Sequence, residues 1–594
     1  MKTFTPGSSR SVERNISAGL LLGLVVLVVV SGPERLRAQT ETSYTPVEPE
    51  MLLGPPDSDW LMWRRTYNHW GYSPLDQIDR SNVSTLRLAW AWTMEPGMQE
   101  TTPLVHDGVM FLPQACDVIE ALDARDGTLI WEYRRPRMEV PARLACANRN
   151  GALYGNRLYL ATHDAHLLAL DARTGEVVWE RKVADWRMGY HYSGGPQVIN
   201  GLVVAGMSGC YHINTGCWIS AHDAETGEEV WRTYTIPRPG EPGYDTWGEL
   251  PDELRRGGSA WIAPSYDPEL NLIFYGVAVP IQWGAAQRGT GDGDVLFTNS
   301  TLALDADTGE IVWYFQHLPN DEWDMDHPFP RLIVETRVTP DPEAVEWVNP
   351  DLTPGERRKV VTGVPGKPGV VWTLDAATGE FLWARPTNPQ NVIVGVDIEG
   401  RKGIANPELK LKEIGEEMFV CPSSLGGINW QATSYSPQTN TLYIPTNSVC
   451  MNYTMLDTEP VPSQHHGSGR IQILHAPGSN EQVGLLTAVD VETGRTRWVR
   501  QQRAAFGGST LTTGGGLVFG SDDARRFRAF DAETGEVMWE QILNSTAGGY
   551  PVTYMVDGVQ YVAIAAGGGQ NFRSLTREIR QPPGGSMLFV FRLP

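Results

Sequence analysis

The sequence predicts an all-β chain: an eight-bladed β-propeller with Trp-docking repeats. Three observations predict it. A nine-residue pattern, Asp-x-x-x-Gly-x-x-x-Trp, recurs seven times along 594 residues. A strand-like run, alternating or apolar, precedes each copy, and helical periodicity is sparse. The chain also carries 62 Gly, 42 Pro and 21 Trp, so turns are frequent and many large indoles need a place to pack.

The copies stand at Asp123/Gly127/Trp131, Asp171/Gly175/Trp179, Asp223/Gly227/Trp231, Asp305/Gly309/Trp313, Asp375/Gly379/Trp383, Asp490/Gly494/Trp498 and Asp531/Gly535/Trp539. In each, the Asp carboxylate caps a tight turn and the Gly supplies the positive φ that closes it. The strand that follows presents the Trp. Such a hairpin cannot bury both its faces alone, so neighbouring units must stack, and four strands per unit at 40–50 residues is the period of a propeller blade. The Trp side chains are then expected between adjacent blades. An eighth, degenerate unit runs from Asn82 to Trp90 and lacks the turn. The C-terminal run Met587–Phe591 is expected to complete that same blade and close the ring. Successive Asp residues lie 48, 52, 82, 70, 115 and 41 residues apart. The long spacings mark insertions, chiefly 232–302, 314–370 and 391–485, and such insertions are where a propeller builds its site.

The first 38 residues read as a signal peptide. Lys2, Arg10 and Arg14 precede the apolar run Ala18–Val30, and Leu36-Arg37-Ala38 offers a cleavage site. Thirteen apolar residues are short for a membrane span, and no later stretch reaches the length of one. The mature chain, 39–594, is therefore expected as one exported periplasmic propeller, without stable membrane insertion. Its net charge would be −25, from −22 for the whole chain. That acidity, with no basic cluster, argues against a nucleic-acid partner and suits a small molecule or a basic protein. All six cysteines lie in the mature part, none in a C-x-x-C-H haem string or a C-x-x-C zinc pattern.

Several local strings resemble the pyrroloquinoline quinone (PQQ)-dependent alcohol dehydrogenases, the methanol and ethanol dehydrogenase family. They are Asp59-Trp60, Tyr72-Ser73-Pro74-Leu75 and Asn82-Val83 near the start, and Cys421-Pro422-Ser423, Asn429-Trp430 and Ser434-Tyr435-Ser436-Pro437 further on. Gln560-Tyr561-Val562-Ala563-Ile564 near the end also matches. Together they extend the resemblance over roughly 57–594. PQQ is a planar, tricarboxylated orthoquinone, so its holder needs flat apolar faces, donors for the carboxylates and polarisation of the reactive carbonyl.

The resemblance implies a residue for each need. Trp261 is similar to the family Trp that stacks under the ring. Glu100, Arg149, Thr162, Ser208, Gly209, Ser259, Lys367, Asn429 and Trp430 fall at cofactor-contact positions, Arg149 at a PQQ carboxylate and Lys367 near the quinone oxygens. The string Asn320-Asp321-Glu322-Trp323-Asp324-Met325-Asp326 resembles the segment around the family's catalytic base, which maps to Asp324. A base must take the hydroxyl proton while hydride passes to the quinone. Asp324 and Asp326 are the expected ligands of a Ca²⁺ or lanthanide ion, Asp326 being the extra carboxylate of lanthanide-dependent members.

The resemblance breaks in places. The Glu expected after Cys210 is Tyr211, and the Asn expected before Pro280 is Val279, neither a ligand for a hard cation of the type it replaces. A shift of alignment at Cys210–Cys217 would instead offer His212 and Asn214. Phe506 stands where the family has a Trp. In place of adjacent cysteines over the ring there is a single Cys146, which either pairs with Cys116 or leaves two buried thiols. Cys421 with Cys450 matches a structural disulfide of the family, and Cys210 with Cys217 would close a short loop. The implied activity is oxidation of an alcohol by hydride transfer to PQQ, with electrons passing to a cytochrome c. The alternative is an inactive propeller serving as a binding scaffold in the envelope.

Overall fold

Short strands of two to eight residues joined by tight turns dominate the chain, and the repeated Asp and Gly close the turn between the last two strands of each repeat. A computed structural model describes residues 44–136, 146–210, 216–457, 469–568, 572–582 and 584–594. The expected signal peptide, Tyr211, His212 and Asn214 lie outside the described residues. Helix is confined there to Pro49–Leu53 and Ala285–Arg288 and a few 3-10 turns. No helix is long and apolar enough to cross a membrane.

Ten sheets form among the described residues, and eight of them have four or more strands. Seven have a four-stranded up-and-down core in chain order, within 104–134, 152–182, 197–234, 265–316, 332–386, 434–502 and 511–542, and three of these gain edge strands: Ile393–Asp397 with Lys402–Ala405, Trp347–Val348, and Tyr72–Ser73. The eighth takes three strands from the end of the chain and Arg87–Met94 from its beginning. There Trp90 pairs with Val590 and Trp92 with Leu588, antiparallel, so the C-terminal strand closes the fold as its sequence leads one to expect. The arrangement is an all-β propeller.

The turn chemistry follows the repeat. In the fourth copy the Asp305 carboxylate accepts the N–H groups of Asp307 and Thr308 at 3.1 and 2.9 Å, and the Thr308 hydroxyl at 2.9 Å. The Gly309 N–H returns to the Asp305 carbonyl at 2.9 Å, with Gly309 at φ +75°. A register shift between Ala303 and Leu304 accompanies the turn, and the same bulge recurs in the other copies.

Six repeat tryptophans donate their indole N–H to a backbone carbonyl of the following unit. Trp131 reaches Ala172, Trp179 Ala224, Trp231 Ala306, Trp313 Ala376 and Trp498 Ala532, at 3.0–3.1 Å. Trp539 reaches Leu86 at 3.1 Å, across the closure. Each alanine carbonyl follows the next turn Asp, so in those five the same motif supplies donor and acceptor. The repeat glycine packs under the preceding Trp: a Cβ on Gly535 would lie 2.6 Å from Trp498 Cε3. Trp383 departs from the series. Its indole N–H is buried without a partner, and Gly494 meets Val345 first. The segment 339–345, from the insertion before Trp383's own copy, occupies that seam and bonds Glu492 and Thr493.

One segment joins all eight sheets. Residues 58–71 bond in turn to the first, innermost strand of each. Ser58 bonds Met555, Trp60 Val105, Leu61 Leu153, Tyr67 both Val198 and Tyr266, Asn68 Ile333, Trp70 Tyr435 and Gly71 Thr512. Trp60 and Trp63 are wholly buried within it, as is Arg64, whose guanidinium gives 2.9 Å hydrogen bonds to the Thr433 and Thr510 carbonyls.

The glycines separate two costs. Gly558, at φ +75°, has nothing within 4 Å of a Cβ. Gly558→Ala is expected to lose only the left-handed penalty, about 1–2 kcal/mol. Gly535→Ala adds overpacking against Trp498, a further ~1–3 kcal/mol. Thermal midpoints compared side by side should fall further for Gly535→Ala.

Candidate functional site

Two charged clusters form from residues that the insertions and the turns between strands bring together. The first is built on the loop between strands Ile311–Gln316 and Leu332–Val338. Asp324 and Asp326 both lie on it, nine-tenths buried. Each Oδ2 stands 2.9 Å from the Lys367 ammonium. The lysine comes from the tight connection before strand Val370–Asp375 and is tied back twice. Its N–H donates to the Asp326 carbonyl, and its carbonyl accepts from Gly427, both at 2.9 Å. Asp326 Oδ1 also accepts the Val279 N–H at 3.2 Å, so Val279 contributes backbone where the family pattern has a side-chain amide.

Two carboxylates share one ammonium, leaving one excess negative charge away from water. Burial pushes the Asp324 carboxyl well above the usual carboxylate range, Lys367 opposes this and Asp326 adds to it. Burial disfavours the charged lysine, but the two carboxylates outweigh it and hold the ammonium above its ordinary value.

The second cluster is a buried ion pair beside an indole. Arg149 pairs with Glu100, which is 2% exposed, and donates to the Ser193 carbonyl at 3.0 Å. Its guanidinium lies over the Trp261 ring, 4.9 Å from the centroid. Trp261 in turn meets the edge of Phe329 at 5.4 Å. It stands apart from the Trp–carbonyl series of the repeats. Burial raises the Glu100 carboxyl and Arg149 opposes that rise.

The remaining expected residues surround these two groups. Ser208 Oγ lies 3.3 Å from Ser193 Oγ. Gly209 has φ +76°, with the His191 ring and the Gly189 carbonyl where a Cβ would be. Ser259 accepts the Ala278 N–H at 2.8 Å and faces Cys217 at 3.5 Å. Trp430 donates to the Gly548 carbonyl at 3.2 Å, and Tyr550 bonds the Trp430 carbonyl at 2.8 Å. Tyr550 also bonds Thr101, next to Glu100. Two side chains are turned to local use. The Thr162 hydroxyl, expected as a donor to a cofactor, donates to Asp164 within its own turn. The Asn429 amide donates to the Leu425 carbonyl at 3.3 Å.

All three cysteine pairs are disulfides: Cys116–Cys146, Cys210–Cys217 and Cys421–Cys450. The open alternative at Cys146 thus resolves to pairing. The Cys116–Cys146 bridge lies three residues from Arg149 in sequence. Beside it burial raises Asp117 to about 6, although Asp117 accepts the His163 N–H at 2.8 Å and the Asn148 amide at 3.2 Å.

Sequence reasoning did not single out Asp321, Asn299, Ser193 or Tyr550. Asp321 stood in the matched string with nothing to separate it from an acidic loop, and the others become visible only through contacts distant in sequence.

The donor set fits PQQ. Arg149 Nε, Thr101 Oγ1, Thr102 Oγ1 and both His163 ring nitrogens are buried without a partner near the Glu100–Arg149 pair or the adjoining disulfide. An anion with several carboxylates is a ligand that such donors suit, and Trp261 supplies the flat face. A cation is suited by the convergence of the Asp324 and Asp326 oxygens on one positive charge, for which Lys367 is the stand-in. No group of three or more His, Cys, Asp or Glu converges among the described residues, so PQQ oxygens would have to complete the coordination.

Comparison with known proteins covers most of the chain. The family model described as "PQQ: Glucose/ethanol/alcohol dehydrogenase, beta-propeller domain" matches residues 60–393 and 403–562. Quinohemoprotein alcohol dehydrogenase ADH-IIG of Pseudomonas putida is 35% identical over 86% of this chain and 73% of its own. 1-Butanol dehydrogenase (quinone) of Thauera butanivorans is 33% identical over 88% and 90%. A europium-containing methanol dehydrogenase of known structure superposes with a TM-score of 0.81 at 27% identity, covering 92% of this chain and 100% of that one. With its fold, its paired charges and these matches across most of its length, the chain belongs to the PQQ-dependent alcohol dehydrogenases.

Proposed function

We propose that residues 1–38 direct export and that 39–594 works in the periplasm as an eight-bladed, Trp-docked propeller that oxidises an alcohol to its carbonyl product. PQQ, when bound, supplies the hydride acceptor, and a Ca²⁺ or lanthanide ion held by Asp324 and Asp326 would polarise its quinone oxygens. Trp261 lies under the cofactor ring, with Glu100, Arg149, Ser208, Gly209, Ser259, Lys367, Asn429 and Trp430 around it. Thr162 joins this set if its hydroxyl turns from Asp164. Arg149 holds a cofactor carboxylate while Glu100 fixes the guanidinium and offsets its charge. Asp324 is the base that accepts the alcohol's hydroxyl proton.

The observation that carries this reading is the convergence of Asp324 and Asp326 on Lys367. Burial and Asp326 hold the Asp324 carboxyl above the usual range, and the ammonium opposes that rise, towards the ionised form that a base needs. A cytochrome c would be the electron acceptor. No cysteine of this chain stands in a haem-attachment string, and the acidic balance suits a basic acceptor.

The test is dye-linked oxidation of a panel of alcohols by the exported protein supplied with PQQ and either Ca²⁺ or a light lanthanide. Turnover is expected to depend on both additions, and PQQ binding without turnover under any metal would contradict the reading. Asp324→Asn should lower kcat by about 10²–10⁴-fold, with PQQ still bound as judged by its absorbance. Arg149→Lys keeps the charge but loses the planar fork. It should weaken PQQ binding by about tenfold, or ~1.4 kcal/mol, read by quenching of tryptophan fluorescence.

A further inference from the structure

Asp324 carries its carboxylate from a backbone at φ +66°, a conformation that costs a residue with a side chain about 1–2 kcal/mol. Such a conformation persists only where the surroundings over-determine it. The group that does so is Asp321, three residues earlier and wholly buried. One of its carboxylate oxygens accepts the Trp323 N–H at 2.7 Å, and the other accepts the Met325 N–H at 2.6 Å. These N–H groups belong to the peptide units on either side of the Trp323–Asp324 pair. Because peptide units are rigid, one carboxylate holding both closes a ring around the φ and ψ of Trp323 and Asp324.

The carboxylate is itself held. Asn299 donates its side-chain amide to the second oxygen at 2.9 Å, and its own N–H goes to the Ala278 carbonyl at 3.2 Å. The buried Arg288 guanidinium donates to the Asp321 carbonyl at 3.1 Å. The next residue along from Ala278, Val279, donates its N–H to Asp326. Both ends of the Asp324–Asp326 pair are thereby referred to the same stretch of backbone, 278–279.

We propose that Asp321 is a positioning residue for alcohol oxidation, holding Asp324 in the one backbone conformation that presents its carboxylate at the reacting centre. It touches neither substrate nor cofactor and acts only through the loop. This inference rests on the reading of Asp324 as the base.

The test compares holoenzymes. Asp321→Asn replaces one acceptor oxygen by an amide that cannot accept an N–H. It is expected to lower kcat roughly tenfold to a hundredfold, with KM for the alcohol and PQQ affinity within about threefold of wild type. Deuterium uptake in the 320–328 peptide should quicken at the same time. Unchanged kcat, or unchanged exchange in that peptide, overturns the proposal. So does a parallel loss of kcat, PQQ affinity and thermal midpoint, which would mark a merely structural role. If Asp321→Asn does not fold, Asn299→Gly decides, since glycine tolerates the φ of +51° at that position and keeps the backbone N–H to Ala278 while losing the side-chain donor. It should give the same split in smaller degree, and wild-type kcat there overturns the proposal. Asp324→Asn separates the two readings. Turnover retained in Asp324→Asn defeats the base assignment, whereas an inactive Asp324→Asn beside a fully active Asp321→Asn defeats this inference alone.

Discussion

The structure depends first on a single strand of backbone, residues 58–71, that bonds to the innermost strand of every large sheet in turn. Each sheet of a propeller meets only its two neighbours, and stacked repeats of that kind carry no contact that spans the whole. A segment touching all eight supplies one. Its turns require Arg64, Arg65 and His69 at positive φ, and Gly71 leaves no room for a Cβ beside the Arg64 guanidinium. Arg64 is buried without a carboxylate, so burial lowers it to about 10, and backbone carbonyls of two different sheets take its charge instead. Closure through Arg87–Met94 and Ser586–Arg592 works on the outside of the same ring, joining the two ends of the chain in one sheet.

Within that frame the charged residues of the candidate site are held by ion pairs and hydrogen bonds. Removing two carboxylates and an ammonium from water costs several kcal/mol per ion, recovered only where geometry is good and the remaining lone pairs are used. Both conditions are met. Lys367 stands at equal distance from two oxygens, Asp326 takes a backbone N–H on its other oxygen, and the lysine backbone is bonded on both sides. Arg149 with Glu100 repeats the device, with an indole on one face of the guanidinium. Both are pre-set charges around the place where a polycarboxylated quinone would lie, and electrostatic groups fixed before the reaction need no reorganisation during it.

The repeats and the insertions divide the work. Turn Asp, turn Gly and Trp are spent on joining one sheet to the next, and few of these residues approach the site. Ser259 and Trp261, then Asp324, Asp326 and Lys367, then Asn429 and Trp430 all come from the three long insertions. The cost appears at the Trp383 seam, where Val345 of the 314–370 insertion packs against Gly494 and the indole N–H is left without its usual carbonyl.

The sequence alone determined the propeller class, because a turn needing Asp and Gly at fixed spacing, followed by Trp, is local chemistry that repeats visibly. It also determined the family, through short strings that keep their order whatever the fold does between them. Tertiary structure decided what those side chains do. The choice between pairing and free thiols at Cys146 turned on the approach of Cys116 across 30 residues. The joining role of 58–71 depends on partners up to about 500 residues away, and no local pattern encodes it. The Thr162 hydroxyl is spent on Asp164, and Lys367 lies between the two aspartates, because a buried polar group without a partner is costly and these had one within reach. Asp321 looked in sequence like one more acid in a run of four. Only the fold shows its two oxygens aimed at the N–H groups on either side of Asp324, since hydrogen-bond direction belongs to backbone geometry and not to residue type.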